Sequence, residues 1–332
     1  MTYTIFNHAA GGPSTTDKLL QGAIDFHHHG YPELSLKATT RTEDVEELKM
    51  ARAAGMAGIV LKSHMWPTVG RAYLLRELVS GIEILSSITL NYAAGGLNPM
   101  SVETAAGLGA KVVFMPTWSA AHDIERGGMS KYLRNFIKRS ESLNASAGLT
   151  LINEKGILKT EVRECLAAAA ENSMVICTGH ISPEESIALA DGAKAFGIEE
   201  VIFSHPDSHS VGAEDGHIRD MVELGAVCEF CCLGCLPKFQ RIHPRQFVDM
   251  LAHVPANKVI LTTDYFFEWA PPAAETLRML IGTLLELGVP EGDVRSFVRD
   301  NPGRLLGWQE GDFARIAERQ SQIRECSGTD AE

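Results

Sequence analysis

Ile24-Asp25-Phe26-His27-His28-His29-Gly30 reads as a short apolar strand that ends in a cluster of imidazoles. Side chains of a strand alternate between its faces. His27 and His29 are therefore expected to point the same way, with Asp25 beneath them, while Ile24, Phe26 and His28 face the other side. Two imidazoles on one face, about 7 Å apart along the strand, can both reach a divalent ion at its end. An isolated His-x-His is more often a packed or surface pair. What gives this one weight is the pattern of the strands that follow.

From residue 22 onward a unit repeats: a helix, a Gly near its C-terminus, then a short β-branched strand with a polar end. Ala53-Ala54-Gly55 leads into Gly58-Ile59-Val60-Leu61, and Leu108-Gly109 into Lys111-Val112-Val113-Phe114. Phe196-Gly197 and Leu224-Gly225 lead likewise into Val201-Ile202-Phe203 and Val227-Cys228. Gly just past a helix is the left-handed cap. Thr40 with Glu43 and Ser182 with Glu185 fit capping boxes, Pro183 suits a first helical position, and Asn98-Pro99 is another cap followed by proline. Alternating strands and helices imply parallel β-α-β units.

Eight strands are expected, at 22–29, 57–63, 83–90, 111–116, 174–179, 200–205, 225–231 and 258–263. Eight such units predict a closed (β/α)8 TIM barrel, an α/β fold with its chemistry at the C-terminal strand ends. The competing open doubly wound sheet should carry a Gly-rich phosphate turn early in the chain; the Gly107-x-Gly109 pair falls at a helix end instead. The barrel is assigned to 22–308, after an N-terminal extension (1–21) and before a charged, helical C-terminal tail (309–332) that frays after Cys326. A long insertion after strand four (117–160) is too long for an ordinary connection. It contains an expected helix near 130–143 and a small hairpin at Leu151–Leu158, and a helix at 161–172 then completes the unit. It is a candidate lid or specificity loop and equally a candidate contact in a homo-oligomer. Trp118 and His122, at its head, are candidate substrate contacts.

The chain's 332 residues can bury a large core, and 45% hydrophobic with 22% charged residues is ordinary for a globular protein. A formal net charge of −12 speaks against a nucleic-acid or anionic-membrane partner. Met1 to Ala10 shows no secretory pattern, and no stretch approaches the roughly 18 apolar residues of a membrane span. Seven cysteines in so long a chain do not form a secreted disulfide framework, so a reducing cytoplasm is expected.

Five of the 12 histidines fall at strand ends: His27 and His29 on strand one, His64 beyond strand two, His180 at strand five and His205 at strand six. Strand eight runs Val259-Ile260-Leu261-Thr262-Thr263-Asp264 and ends in a carboxylate. Imidazoles with a carboxylate suit Zn2+ or a similar divalent ion (Mn, Fe or Ni), with Asp264 placed to act as a base.

With these residues the sequence resembles the amidohydrolase superfamily. Asp25-Phe26-His27-His28-His29 is similar to its strand-one Asp-x-His-x-His, His180 and His205 to its strand-five and strand-six histidines, and Asp264 to its strand-eight aspartate. Asn301-Pro302-Gly303-Arg304-Leu305-Leu306-Gly307 is similar to its closing Asn-Pro-Ala-x-Leu-Leu-Gly, so the resemblance spans 22–308. It implies a stand-alone, metal-dependent barrel enzyme that hydrolyses amide, ester, lactone or phosphoester bonds, here expected to be an amide, lactone or ester bond of a small polar molecule, with one or two metal ions. It assigns His27 and His29 to one metal, His180 and His205 to a second or to its surroundings, and Asp264 to ligand and base. The departure is at strand four, where binuclear members carry a bridging Lys or Glu and this chain has Phe114-Met115-Pro116-Thr117. Lys62 and Glu229, each in an apolar strand, are the candidate substitutes, with Lys62 serving otherwise as a substrate contact or acid/base. His64 is a candidate extra ligand. Without a bridge the site is mononuclear, and a decarboxylase or hydratase is the alternative. A non-catalytic, metabolite-binding barrel is the third reading.

Cys228, Cys231, Cys232 and Cys235 are read chiefly as packing with one thiol near the mouth, and a structural zinc site is the lesser alternative. Asn91 alternates with Ser87 and Thr89 and is a candidate pocket residue. Asp207 and His209, and Arg241, His243 and Arg245, are placed to meet an anionic substrate, although solvated loop charge is the ordinary role of such residues.

Overall fold

The computed structural model describes residues 12–137, 148–239 and 241–328. Eight strands, β1 (Ile24–His29), β2 (Gly58–Lys62), β3 (Glu83–Thr89), β4 (Ala110–Phe114), β5 (Val175–Cys177), β6 (Val201–Ser204), β7 (Val227–Cys231) and β8 (Val259–Thr262), lie in sequence order. Each pairs in parallel with the next. Two backbone bonds of 3.0 Å, from Asp264 N to His27 O and from His29 N to Tyr265 O, close β1 onto the end of β8. This is the expected (β/α)8 barrel.

The local signals operate as the residue chemistry requires. Gly55, Gly109, Gly197 and Gly225 take the left-handed conformation that ends each preceding helix. Ser182 and Glu185 form a reciprocal capping box with Pro183 in the first turn, and Asn98 caps the helix that opens at Pro99. Thr40 and Glu43 do not form the expected box. The Thr40 hydroxyl is spent on the Thr42 carbonyl, and the helix opens only at Asp44, with Glu43 making no side-chain cap.

The strands separate two apolar layers. Ile24, Phe26, Val60, Val112, Phe114, Ile202, Val227 and Ile260 fill the barrel, and Phe313 and Ile316 of the C-terminal helix (Glu310–Gly328) close it from below. Ile59, Leu61, Val113, Phe203 and Leu261 face the surrounding helices. Burying each large side chain is worth about 1.5–3 kcal/mol. A third, smaller cluster of Leu34, Met65, Trp118, Leu133 and Phe266 lies apart from both.

Strict alternation fails in β1. Its register with β2 shifts between Asp25 and His28, so Phe26 stays in the interior cluster while His27 also turns inward, its ring 5.6 Å from that of Phe114. Asp25 is therefore not beneath His27. It accepts from Thr263 N at 3.0 Å and from the Thr263 hydroxyl, clipping the seam between β1 and β8. An extra residue in one strand reverses the facing of everything beyond it.

In the insertion, short helices run Ala121–Arg126 and Met129–Leu133, and Ile152 bridges Leu158 in the expected hairpin. The helix expected near 130–143 ends at Leu133, with residues 134–136 in a turn, and from 138 on it lies outside the described residues. The expected helix at 161–172 is Thr160–Glu171. In the N-terminal extension, Thr15–Leu20 is helical, capped by Ser14, with Leu20 buried. No described helix is long and apolar enough to cross a membrane.

Candidate metal centre

The seam that closes the barrel also assembles the site. Because Asp264 N bonds His27 O, the Asp264 carboxylate is delivered to the two β1 imidazoles. Its Oδ1 lies 3.3 Å from His27 Nε2 and 3.4 Å from His29 Nε2. Asp264 (φ +50°) and His205 (φ +26°) are two of the three described non-glycine residues with positive φ. Such backbone costs about 1–3 kcal/mol where the side chain gains nothing by it, and it collects at functional sites.

The five histidines share one arrangement. His27 Nδ1 is 2.7 Å from Glu229 Oε1, His180 Nδ1 2.7 Å from Asp123 Oδ1, His64 Nδ1 2.8 Å from Thr117 Oγ1, and His205 Nδ1 3.0 Å from Ser208 Oγ. His29 Nδ1 faces Glu33 Oε1 at 3.4 Å, out of line for a hydrogen bond. Each Nδ1 is thus turned to a carboxylate or hydroxyl, leaving Nε2 for the interior. The rings stand together: centroids are 5.3 Å apart for His27–His29, 5.6 Å for His27–His205, 4.9 Å for His180–His205 and 4.6 Å for His29–His64.

Burial sets the protonation. It lowers His27 far below the usual imidazole value, assisted by the Lys62 charge, and lowers His64 likewise, assisted by His29. It takes His205 down to about 3, with His180 adding to the effect. In His29 burial pulls the same way, but the Asp264 and Glu33 carboxylates outweigh it and the value rises. Burial alone would raise Asp264; His27 and His29 reverse this and hold it far below the ordinary carboxylate range. Most of the imidazoles are therefore neutral near pH 7 and the aspartate is ionised, the states in which both bind metal.

The donor set fits a divalent cation. His27, His205 and Asp264 offer ligand atoms within 4.8 Å of one another, as do His29, Glu33 and His64. Both ring nitrogens of His29, and Glu229 Oε2, are buried without a hydrogen-bond partner, a costly state that a cation relieves. Lys62 is fully buried, and its Nζ lies 2.9 Å from His27 Nε2 and 4.7 Å from the Phe114 ring centre. It is in no ion pair among the described residues, and it points at the lone pair a cation would take.

The site opens into a cavity of about 530 Å³ whose wall includes Lys62, His64, His180, His205 and Asp264. Asn91, Trp118 and His122 do not line it. The Asn91 amide donates to His64 O (3.0 Å) and accepts from Thr117 N and the Ser119 hydroxyl (2.8 and 2.7 Å). Trp118 Nε1 also donates to His64 O at 2.8 Å, so both residues brace the His64 loop. His122 Nε2 is directed to Val211 O at 2.8 Å, tying the insertion to the β6 loop. Asp207, His209 and Arg241 are on the wall, whereas His243 accepts from Arg245 N as a helix cap. The four clustered cysteines divide between layers: Cys228 and Cys232 pack under the helices with Cys235 half-buried against the same layer, and Cys231 lies in the wall, 3.1 Å from the Thr262 hydroxyl. They do not meet as a four-thiol site.

Asp123 and Glu33 are the residues that sequence reasoning missed. Asp123 also accepts from Met129 N (3.0 Å) and Ser130 N (2.7 Å), and a Cβ at Gly128 would lie 2.5 Å from its Oδ1. Nothing in the stretch Ala120-Ala121-His122-Asp123-Ile124 itself marks this carboxylate for the site.

Residues 22–229 match the model of a family of unknown function (DUF6282). The chain belongs to this family. No curated protein matches it. Among solved structures the DUF6282 chain is similar to an amidohydrolase from Pseudomonas aeruginosa, with 14% identity over 88% of this chain and 98% of that one and a TM-score of 0.59. It is similar to the probable dipeptidase PvdM of the same organism, at 12% identity over 92% and 98% of the two chains with a TM-score of 0.56. A doubly substituted organophosphorus hydrolase from Deinococcus radiodurans gives 15% identity, 86% and 92% coverage and a TM-score of 0.54. At these identities the likeness is one of fold, the (β/α)8 barrel.

Proposed function

We propose that the protein is a metal-dependent hydrolase of a small molecule, cleaving an amide, lactone or ester bond. The observation that carries this reading is the shared arrangement of the five histidines, each with Nδ1 turned to a carboxylate or hydroxyl and Nε2 left for the interior. Metal-binding histidines are oriented in this way by their outer partners. The hydrolases among the structural neighbours support it. His27, His29, His180, His205 and Asp264 would hold the ion or ions, with His64 and Glu33 adjoining, and zinc suits this nitrogen-rich set best.

When bound, the cation supplies Lewis acidity, polarising the scissile bond and making water more acidic. The protein's own groups do the rest. Asp264, held ionised, accepts the proton that the attacking water loses and passes it to the leaving group. Glu229, Asp123 and Ser208 keep His27, His180 and His205 in one tautomer. Lys62 brings N–H donors to the cavity floor, where negative charge develops in the transition state. Phe266 and Phe267 shield the reacting groups from bulk water. The free state of all seven cysteines supports a reducing, cytoplasmic setting.

A lyase reading, decarboxylation or hydration at a mononuclear site, is favoured by one observation: the end of β4 offers no bridging carboxylate or lysine. The test is metal analysis of protein purified without chelator, followed by lactone, ester, amide and α-carboxylate panels. Hydrolysis requires at least one equivalent of metal and turnover that both His27→Ala and Asp264→Asn abolish. Less than about half an equivalent, with no stabilisation on adding metal, counts against it.

A further inference from the structure

The cavity carries a charge pattern opposite to that of the chain. The protein has 42 acidic and 30 basic residues, yet the cavity wall holds Lys62, Lys131, Lys238 and Arg241 against Asp207 and Asp264. Asp264 is already engaged by His27 and His29. Lys131 comes from the helix Met129–Leu133 after β4, and Lys238 and Arg241 from the loop after β7, three strands further round the barrel. None of these three side chains is in an ion pair or hydrogen bond among the described residues. Lys238 Nζ lies 5.2 Å from the Trp269 ring centre and Arg241 Cζ 6.0 Å from that of Phe239. A ring face holds a cation without consuming its N–H donors, so these donors stay available to a ligand.

Between this rim and the imidazoles stands an aromatic wall. Phe266 and Phe267 meet edge to face at 4.7 Å, Tyr132 contacts Phe267 at 5.7 Å, and Phe239 contacts Phe267 at 5.3 Å. An apolar wall with a few convergent charges fixes both the body and the orientation of a small ligand.

We propose that the substrate is an amphipathic anion: a carboxylate or phosphate held by Arg241 and Lys238 at the mouth, and an apolar or aromatic body against Phe239, Phe266 and Phe267. Its reacting bond is thereby directed down to the imidazoles and Asp264. This specificity rests on the hydrolase reading for the chemistry, but not for the binding. Arg241 offers a planar fork suited to either oxyanion, and Lys238 a point charge beside it.

The test titrates three probes into protein with its metal content as purified, at low salt, with binding read by calorimetry. The probes are hydrocinnamate, phenethyl phosphate and the neutral hydrocinnamamide. The same titrations are run on the double variant Arg241→Gln/Lys238→Gln. At least one anion should bind tenfold or more tightly than the amide, and the double variant should lose that preference while binding the amide as before. Whichever anion binds more tightly identifies the headgroup as carboxylate or phosphate. Equal binding of anions and amide by the unaltered protein overturns the proposal. So does an anion preference that survives in the double variant, which would place the anion on the metal centre or Lys62. Unchanged amide binding and metal content show that the variant is folded. Low metal content in the unaltered protein removes the hydrolase reading and leaves the anion result standing.

Discussion

His180 and Asp123 are 57 residues apart in sequence, and their Nδ1 and Oδ1 atoms are 2.7 Å apart in space. The carboxylate is buried, and its charge is maintained by the imidazole and by the Met129 and Ser130 amides, which hold its pKa down although burial pushes it up. The insertion after β4 thus reaches back to orient a β5 histidine. Asp123→Asn keeps the size of the side chain but removes the charge and one of its acceptors. Outer partners of this kind are worth about 10–100-fold in metal affinity. A zinc competition titration against a chromophoric chelator should show a loss in that range, and unchanged affinity would mean that His180 is not a ligand.

Gly128 lets the insertion approach that carboxylate. A Cβ there would lie 2.5 Å from both Asp123 Oδ1 and Ser210 Oγ, and Asp123 Oδ1 cannot retreat without breaking its bonds to Met129 N and His180 Nδ1. Gly128→Ala is therefore expected to destabilise by about 1–3 kcal/mol, the usual cost of overpacking. It should weaken metal binding in the same direction as Asp123→Asn. Urea unfolding with and without zinc separates the two effects.

Lys62 Nζ and a metal ion need the same lone pair of His27 Nε2, because His27 donates its other nitrogen to Glu229. Removing the competitor should help the ion. Lys62→Met is expected to bind zinc at least as tightly as the unaltered protein, by calorimetry, and to lose turnover. A large drop in affinity would instead make Lys62 itself a ligand, the bridging role that the sequence left open.

The strands and the convergence of the five histidines were legible for one reason. A short apolar run between a Gly-ended helix and a polar residue has few other readings, and strand ends in a closed barrel all meet in one place. What the sequence hid was direction. Alternation put Asp25 beneath His27, and a register shift of one residue, which leaves no mark on the apolar pattern, moved it to the seam. Asn91, Trp118 and His122 were read as pocket residues, but their polar atoms turn to His64 O, Thr117 and Val211 O rather than into the cavity. Asp123 was invisible because its meaning depends on a partner in another unit.

Acid sensitivity of the metal-free protein tests the site without any substrate. His27, His64 and His205 have values lowered by burial, to about 3 for His205. Between those values and the ordinary one near 6.5, the unfolded chain binds protons that the folded chain refuses, so stability falls as pH falls. Each of the three contributes up to about 1.4 kcal/mol per pH unit in that window. His29 works the other way. Its raised value stabilises the fold fully below about 6.5, and that contribution is lost only as pH rises through its folded value, so it does not offset the decline. Asp264, with its lowered value, gives up its contribution only below the ordinary carboxylate range near 3.9, as pH falls toward its folded value. Urea midpoints of chelator-treated protein should therefore drop steadily from pH 6.5 to 5.0. At pH 7, zinc at about 100 times its dissociation constant should raise stability by about 2.7 kcal/mol. A flat profile from pH 7 to 5 would show that these imidazoles titrate as exposed ones do, and that the inward set of neutral nitrogens does not exist.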